Sequence, residues 1–394
     1  MKPRFTAAMY LCLSALAFLM LSSSVFADDD NVIKKGQTVQ TIASTVPATG
    51  DVNPYGVWRV QKSIGNLEEG NILVSNFNNF QNLQGTGTTI VQVSPQGQVT
   101  LFAQINASSL PGPCPGGVGL TTALAVLRSG WVIVGSLPTT DGTSATAQAG
   151  CLIVLDAWGN PVETFYGSLI NGPWDMTATE SDDDHAFLFV TNVLNGTLAA
   201  SPNPAVPGNI VNEGTVIRIN LHASEKQMPW IESITVIGSG FEERTDPVAL
   251  VIGPTGVGLS PSCDEGDRED CHTIFGDHSG RVLYVADTLQ SRIQAIPDAL
   301  DRTTSAGRGV TFSSGGSLNG PLGLNVSEGE HVLTVNGGDG NVIEINRGGT
   351  QIATFLLDSI GTPPGNGSLF GLAFDSEGHI VFVDDNAATL NVLR

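Results

Sequence analysis

The stretch Leu283-Tyr284-Val285-Ala286-Asp287 is a short apolar run that ends in a small residue and an acidic one. Five similar runs occur elsewhere in the chain, at Ile72–Asn76, Val132–Ser136, Leu188–Asn192, Val332–Asn336 and Val381–Asp385. Successive runs end 60, 56, 95, 49 and 49 residues apart. A recurrence of about this length indicates a repeat architecture, in which each unit is one supersecondary element.

Each run lies between two other short apolar segments that are bounded by glycine, proline or asparagine. Before Val332–Asn336 this segment is Gly320–Leu324, and after it comes Val342–Ile345. Such segments are typical of strands, and tight turns at 95–98 and 157–160 lead into a fourth strand. Six units of four strands predict an all-β fold, a six-bladed β-propeller of four-stranded antiparallel blades. In the fourth unit we expect Asp246–Leu250 to be the first strand.

The two ends of the chain independently indicate a closed ring. The sixth unit stops at Arg394, at the end of its third strand, while Gln37–Thr45 forms a strand that belongs to no complete unit. If these segments pair, the N-terminal strand closes the last blade and no sheet edge is left unprotected. We therefore predict one propeller domain over residues 37–394, preceded by a short lead at 28–36.

Two of the units resemble the NHL repeat. Leu283–Gln294 matches its usual form, a YVAD strand end followed by a polar turn and the residues R-I-Q. Gly371–Asp375 together with Gly378–Asp385 is a second match, and the other units keep the rhythm with different residues. The resemblance implies a six-bladed propeller of the NHL type, of the kind found in secreted bacterial proteins. By itself it implies no reaction.

The first 27 residues indicate an export signal. Lys2 and Arg4 precede an apolar run over 7–21, and the Val-Phe-Ala sequence at 25–27 suits signal peptidase. The run is shorter than the roughly 20 apolar residues that span a bilayer, and no later stretch comes closer. We expect cleavage before Asp28, a periplasmic or secreted location, and no membrane span after the signal is removed.

The charge of the chain argues against two classes of partner. There are 17 Lys and Arg against 38 Asp and Glu, which gives a formal charge of −21. Nucleic-acid binding depends on clustered cations that replace phosphate counterions, so we expect no nucleic-acid partner. Adsorption to an anionic membrane surface is disfavoured for the same reason.

Four of the five cysteines follow residue 27. An even number in an exported chain indicates two disulfides, and four cysteines allow three connectivities. The local pair Cys263–Cys271 would close a short polar loop. The remaining pair, Cys114–Cys151, would then join the start of the second unit to a later strand of the same unit.

The loop at 263–278 is rich in groups that bind metals. Its two cysteines could form a zinc site with His272 and His278, although their spacing exceeds the usual two to four residues. Its acids are candidate calcium ligands, although their order fits no EF-hand loop. The candidate ligands among them are Asp264, Asp267 and Asp270. We favour a disulfide-closed acidic loop without a metal, because short motifs often match by chance.

The first strands of a propeller line its central channel, and ligands bind at the mouth of that channel. The third unit has Trp174-Asp175 where other units have Tyr55-Gly56, Val248-Ala249, Leu322-Gly323 and Phe370-Gly371. A carboxylate in place of a small residue could ligate a divalent cation or act as a base. The more ordinary interpretation is a turn cap, because Asp is a common turn former. We take Tyr55, Trp174 and Asp175 as candidate ligand-binding residues, and Asp175 also as a candidate metal ligand.

Enzymes with a similar architecture supply catalytic sets that can be sought here. The amidating-lyase type uses zinc-binding histidines near the axis, but no histidine here adjoins a Pro-x-Gly turn that opens a blade. The gluconolactonase type needs a Glu and Asn/Asp set around one ion, and Asp175 is the one plausible ligand. The streptogramin lyase type repeats Gly-Pro-Asp-Gly, and Gly253–Gly256 lacks the acid. We therefore predict a non-catalytic binding or interaction module.

Recognition would then take place at the channel mouth and on the loops that interrupt the period, because long loops are often functional. These loops are at 106–117, 137–150, 195–213 and 260–280. One alternative is a lactonase-like metal-dependent hydrolase or lyase, with Ca²⁺ or another divalent cation at the axis. Another is a structural part of an extracellular assembly. No motif identifies the ligand, whether protein or small molecule.

Overall fold

The computed structural model describes residues 31–181, 184–197, 208–262 and 281–394. Within these ranges the chain forms β-strands and three single-turn 3₁₀ helices, at Ala107–Ser109, Ser144–Thr146 and Thr288–Gln290. The predicted export signal and the candidate ligands Asp264, Asp267 and Asp270 lie outside the described residues. So do Cys263, Cys271, His272 and His278. Among the described residues, no helix is long and apolar enough to cross a membrane.

Six antiparallel sheets form six blades, so the predicted fold is confirmed. The first blade consists of β2 (Val52–Arg59), β3 (Ile72–Asn78), β4 (Thr89–Val93) and β5 (Val99–Gln104). The second consists of β6 (Leu120–Val126), β7 (Val132–Ser136), β8 (Cys151–Leu155) and β9 (Pro161–Phe165). The third consists of β10 (Pro173–Glu180), β11 (His185–Asn192), β12 (Val211–His222) and β13 (Trp230–Asp246), extended by the short β14 (Leu250–Ile252).

The remaining blades are regular. The fourth consists of β15 (Pro254–Leu259), β16 (Leu283–Asp287), β17 (Arg292–Ile296) and β18 (Val310–Ser314). The fifth consists of β19 (Pro321–Val326), β20 (Val332–Asn336), β21 (Asn341–Ile345) and β22 (Gln351–Leu356). The sixth consists of β23 (Leu369–Phe374), β24 (Ile380–Asp384), β25 (Thr389–Leu393) and the N-terminal strand β1 (Val39–Ser44).

Strand β1 closes the ring, as the sequence predicts. It pairs antiparallel with β25, with Val39 opposite Leu393 and Ser44 opposite Thr389. The N–H of Arg394 also donates to the carbonyl of Thr38 at 3.0 Å. A strand that is distant in sequence therefore covers the outer edge of β25 and becomes the fourth strand of the sixth blade.

The core lies between the blades. Second and third strands are buried on both faces because each sheet packs against the next one, and every residue of β3 and β8 is buried. The outer strands alternate or are exposed, as in β5. The first strands contact one another in sequence around the axis, from β2 through β23 and back to β2. Burial on both faces explains why the second and third strands are apolar without alternation.

The predicted first strand of the fourth blade is wrong. Asp246–Leu250 is the turn between β13 and β14, in which Asp246 Oδ1 accepts the N–H groups of Val248 and Ala249 at 2.8 and 2.9 Å. The first strand begins at Pro254 instead. The reason is steric and specific to this blade, because the predicted strand would place Ala249 beside the axis, where Gly256 lies instead. A Cβ at Gly256 would overlap the carbonyl oxygen of Leu322 in the next blade.

The ring has two faces, which we name by strand direction. First strands begin and second strands end at the upper face, where Pro54 is opposite Asn76 and Pro321 is opposite Asn336. First strands end at the lower face.

The predicted disulfide Cys114–Cys151 is present; it closes a loop across 37 residues of sequence and joins the segment before β6 to the first residue of β8.

Candidate functional site at the axis

Glycines bring the first strands unusually close together at the axis. A Cβ at Gly323 would overlap the carbonyl oxygen of Phe370, and one at Gly371 would overlap that of Tyr55. Neighbouring backbones occupy the space that side chains would need, and glycine is the residue that permits such an approach. The channel is therefore narrow along the part that these strands line.

Aromatic side chains close the upper end of the channel. The Tyr55 ring stacks on Phe370 with centroids 3.9 Å apart and on Phe77 at 4.4 Å, and it lies 6.2 Å from Trp174. Tyr55 and Trp174 are each 6% exposed. Leu250 and its neighbour in β14 belong to the same apolar cluster. The structure thus brings two predicted ligand-binding residues together, but as part of a buried aromatic plug.

Asp175 is buried beneath this plug, at the position that glycine occupies in the first, fourth, fifth and sixth blades. Its Oδ2 accepts the N–H of Val257 at 3.1 Å, which links the third blade to the fourth. Its own N–H donates to Thr191 Oγ1 at 3.1 Å. Burial raises the pKa of Asp175 to about 8, while hydrogen bonds from the N–H groups of Met176 and Val257 act in the opposite direction.

A cavity of about 30 Å³ lies beside the Asp175 carboxyl group. That volume holds about one water molecule, whereas sites for organic ligands usually occupy 300 Å³ or more. Of the residues that line it, Asp175 is the one ionisable group. Thr122 Oγ1, buried without a hydrogen-bond partner among the described residues, supplies another oxygen. Thr177 and Asn325 bring the lining to four oxygen-bearing side chains. Ca²⁺ takes six to eight oxygen ligands, so these side chains fit a water molecule better than a calcium ion.

The upper face around the plug is acidic, and its described arginines are paired. Arg244 contacts Asp246 at 2.6 Å, and Arg292 contacts Asp287 at 2.7 Å. Arg308 lies 3.5 Å from Glu242. Burial, and then the neighbouring Asp384, raise the pKa of Asp385 to about 6. The electrostatic potential of this face is therefore expected to favour cationic groups on a ligand.

On the upper face, two loops that a hydrogen bond of Gln84 joins each carry an exposed apolar side chain, which no sequence motif predicts. Phe80 and Val248 are the two most exposed large apolar residues in the described ranges, at 70% and 79%. Gln84 Nε2 donates to the carbonyl of Val248 at 2.6 Å, so a loop of the first blade is joined to the β13–β14 turn. We call Phe80, Gln84 and Val248 the upper patch. The sequence signal for it was the long insertion after Asn192, but its partner loop carries no motif.

No protein-family model matches this chain, and none of the curated proteins matches it. A structural-genomics target assigned as a gluconolactonase is 13% identical over 92% of this chain and 93% of its own, with a TM-score of 0.52. A luciferin-regenerating enzyme is 11% identical over 91% and 95%, with a TM-score of 0.52. A gluconolactonase from Xanthomonas campestris is 15% identical over 91% and 89%, with a TM-score of 0.49. At these identities the likeness is one of fold, a six-bladed β-propeller, and the narrower resemblance to the NHL repeat stays a prediction.

Proposed function

We propose that this chain is an exported, non-catalytic β-propeller module that binds its ligand on the upper face. The observation that carries the proposal is the closed axis. Tyr55, Phe370 and Trp174 fill the channel mouth, and the cavity beneath them has a volume of about 30 Å³. An organic substrate has no room to reach Asp175, so recognition is assigned to the surface above the plug.

The upper patch is the most suitable part of that surface. Singly exposed apolar residues are normal on protein surfaces, but apolar residues grouped within a polar surface mark interaction sites. Here two exposed apolar residues lie on loops that a hydrogen bond joins. Phe80 and Val248 are held by loops that share the Gln84 hydrogen bond. Asp141, in the adjacent loop of the second blade, accepts hydrogen bonds from Thr143 and Thr146, which hold its carboxylate on this face. A ligand that combines an apolar surface with cationic groups fits this chemistry.

The test compares two faces of the same protein. The mature chain, a Phe80→Ser/Val248→Ser variant and a Trp158→Ser variant are immobilised and exposed to an extract of the compartment into which the protein is exported. Trp158 is 59% exposed in a turn of the lower face and is the matched control. We expect a bound species that wild type and Trp158→Ser retain and that the double variant loses. Equal retention by all three proteins would contradict the assignment of the upper patch.

The second candidate function is a lactonase-like hydrolase or lyase with a divalent cation at the axis. It is favoured by the buried Asp175 carboxyl group beside a cavity, on a fold shared with the gluconolactonase-assigned structure. Calcium titration of the mature chain and hydrolysis of an aldonolactone separate the candidates. If the protein is a binding module, Asp175→Asn does not change Ca²⁺ uptake, and aldonolactone hydrolysis equals that of the buffer blank. Lactone turnover that is abolished by Asp175→Asn would establish the enzyme instead.

A further inference from the structure

Away from the axis, the described residues contain two groups of histidine and carboxylate side chains whose ligand atoms lie within 4.8 Å of one another. The group on the third blade, the blade-three triad, consists of His185, His222 and Glu232. The group on the sixth blade, the hairpin set, consists of Asp375, Glu377 and His379. Their backbone settings differ, because the first group spans three strands of one sheet and the second lies within the turn between β23 and β24.

The blade-three triad is built on three adjacent strands at the lower face. His185 is the first residue of β11 and lies opposite His222, the last residue of β12. His222 in turn lies opposite Trp230, the first residue of β13. Opposed residues of antiparallel strands project from the same face with their Cβ atoms about 5 Å apart. The sheet therefore sets the spacing of the two imidazole rings.

A β-bulge brings in the carboxylate. Leu221 pairs with Ile231 and Asn220 with Ser233, so Glu232 is an extra residue in β13. A bulge bends a strand and re-aims the side chain of the extra residue. Glu232 Oε1 lies 3.4 Å from His185 Nε2, although the two residues are on strands that flank β12. The third ligand of the triad is therefore placed by a specific irregularity of the sheet.

The ligand types and spacing suit Zn²⁺. Tetrahedral zinc binds imidazole nitrogen and carboxylate oxygen at about 2.0–2.2 Å, which places ligand atoms about 3.3 Å apart. The His185–Glu232 separation of 3.4 Å already meets this requirement. Two histidines and one carboxylate leave a fourth position for water. The side chains of His185 and Glu232 are 42% and 38% exposed, so an ion can enter from solvent.

Trp230 restricts the ring of His222. The two rings are stacked with centroids 3.8 Å apart, and the rings of His185 and His222 form a T-shaped contact with centroids 5.2 Å apart. A ring held in this way loses little conformational freedom when it binds an ion, which favours binding. The stacked indole also provides an optical signal that responds to a change at His222.

In the hairpin set, hydrogen bonds of the turn already engage the carboxylate of Asp375. Asp375 Oδ1 accepts the N–H groups of Glu377 and His379 at 2.8 and 2.9 Å. The Arg394 guanidinium lies 3.6 Å from the other oxygen of Asp375. These hydrogen bonds hold the hairpin together, and the arginine opposes the approach of a cation. The hairpin set therefore has the same kinds of ligand but serves as a control.

We propose that His185, His222 and Glu232 bind one Zn²⁺ ion at the lower face of the third blade, with water as the fourth ligand. The site is separate from the upper patch and from Asp175. A test of this zinc site is therefore independent of a test of the proposed function.

The test is calorimetric titration of the mature, EDTA-treated chain with ZnCl₂. We expect one Zn²⁺ bound through the triad, and affinity lowered more than about tenfold in His222→Ala and in Glu232→Gln. His379→Ala is the matched control and keeps wild-type affinity. Zn²⁺ is expected to change tryptophan emission in wild type, and Trp230→Phe is expected to lose most of that change.

Two outcomes would overturn the proposal. The first is a failure of the triad to account for binding: wild type takes up no Zn²⁺, or its affinity is unchanged in both His222→Ala and Glu232→Gln. The other is uptake that persists in those variants but is lost in His272→Ala/His278→Ala, which would assign the ion to the loop at 263–278. Urea unfolding establishes that each variant is folded. If His222→Ala is not folded, anomalous diffraction from zinc-soaked wild-type crystals decides whether the triad holds the ion.

Discussion

The third and fifth blades are both four-stranded antiparallel sheets at their core, but the fifth is regular and the third is enlarged. Strands β21 and β22 of the fifth blade have 5 and 6 residues, whereas β12 and β13 of the third have 12 and 17. Beside the axis, the fifth blade has Gly323 and the third has Asp175. The regular blade uses this position for packing alone. The irregular blade places an ionisable group there and continues into the β13–β14 turn of the upper patch.

Each of these blades also buries a glutamate on its third or fourth strand, and the two carboxylates differ in whether they have hydrogen-bond partners. Glu344 in β21 contacts His331 Nδ1 at 2.6 Å and accepts the N–H groups of Val32 and Ile33 at 2.8 and 2.9 Å. Glu243 in β13 has no hydrogen-bond partner on either carboxylate oxygen among the described residues. A buried charge stabilises a fold when its partners compensate for lost hydration and destabilises it when they do not. The comparison therefore predicts opposite effects for one substitution.

The largest effect is expected from Gly323→Ala. The new Cβ would overlap the carbonyl oxygen of Phe370, so the fifth and sixth blades must separate at the axis. We expect a loss of about 3 kcal/mol or more in the free energy of unfolding, measured by urea denaturation. Gly348→Ala, in a turn of the same blade, is the control because its Cβ would meet its nearest atom at 3.4 Å. Similar stability of both variants would show that the axis is not tightly packed.

Glu344→Gln is expected to have the second largest effect. The amide keeps one acceptor but loses the charge that His331 and the two N–H groups share, which we expect to cost about 3 kcal/mol. Urea denaturation measures the loss, and faster amide exchange at Val32 and Ile33 would locate it. Glu328→Gln, an exposed position before the same strand pair, is the control. Unchanged exchange at Val32 would refute the role of Glu344 as the anchor of the N-terminal lead.

Glu243→Gln is expected to stabilise the protein at alkaline pH. Burial, and then Glu213, raise the pKa of Glu243 to about 9 from an ordinary 4.5. The folded state therefore holds a proton that the unfolded state has lost between these pH values, and stability falls as pH rises by up to about 1.4 kcal/mol per pH unit. We expect the variant to equal wild type near pH 5 and to exceed it by roughly 2 kcal/mol at pH 8. A gain of equal size at both pH values would disprove the electrostatic explanation.

The architecture followed from the sequence because it depends on repetition. Apolar runs such as Leu283–Asp287 must be buried on both faces. The unpaired strand at Gln37–Thr45 can pair with the incomplete sixth blade. The position of Asp175 beside the axis also followed, because Trp174-Asp175 interrupts a series of aromatic or aliphatic residues followed by a small residue. These predictions required a count of positions and no knowledge of side-chain contacts.

The plug, the upper patch and the blade-three triad did not follow from the sequence. The mutual burial of Tyr55 and Trp174 depends on how six strands converge, and no single segment encodes that distance. Glu232 approaches His185 through a bulge that shifts the register by one residue, a detail that local patterns do not report. The sequence predicts a strand at the β13–β14 turn because Asp246-Pro247 resembles the start of a blade.

The smallest effect is expected from Asp175→Asn, and its pH dependence distinguishes a buried acid from a metal ligand. The folded pKa of about 8 lies above the ordinary 3.8, so the carboxyl group destabilises the fold progressively as pH rises from about 4 to 8. Asparagine can still accept the N–H of Val257 and cannot ionise, so the variant is expected to flatten this part of the stability–pH curve. The change is expected to be smaller than for Glu243 because Asp175 retains hydrogen bonds and adjoins a water-sized cavity. Thermal unfolding at pH 5 and pH 8, with and without added Ca²⁺, measures it. If Ca²⁺ stabilises wild type at pH 8 but not Asp175→Asn, the carboxylate is a cation ligand, and the third blade differs from the fifth in function as well as in form.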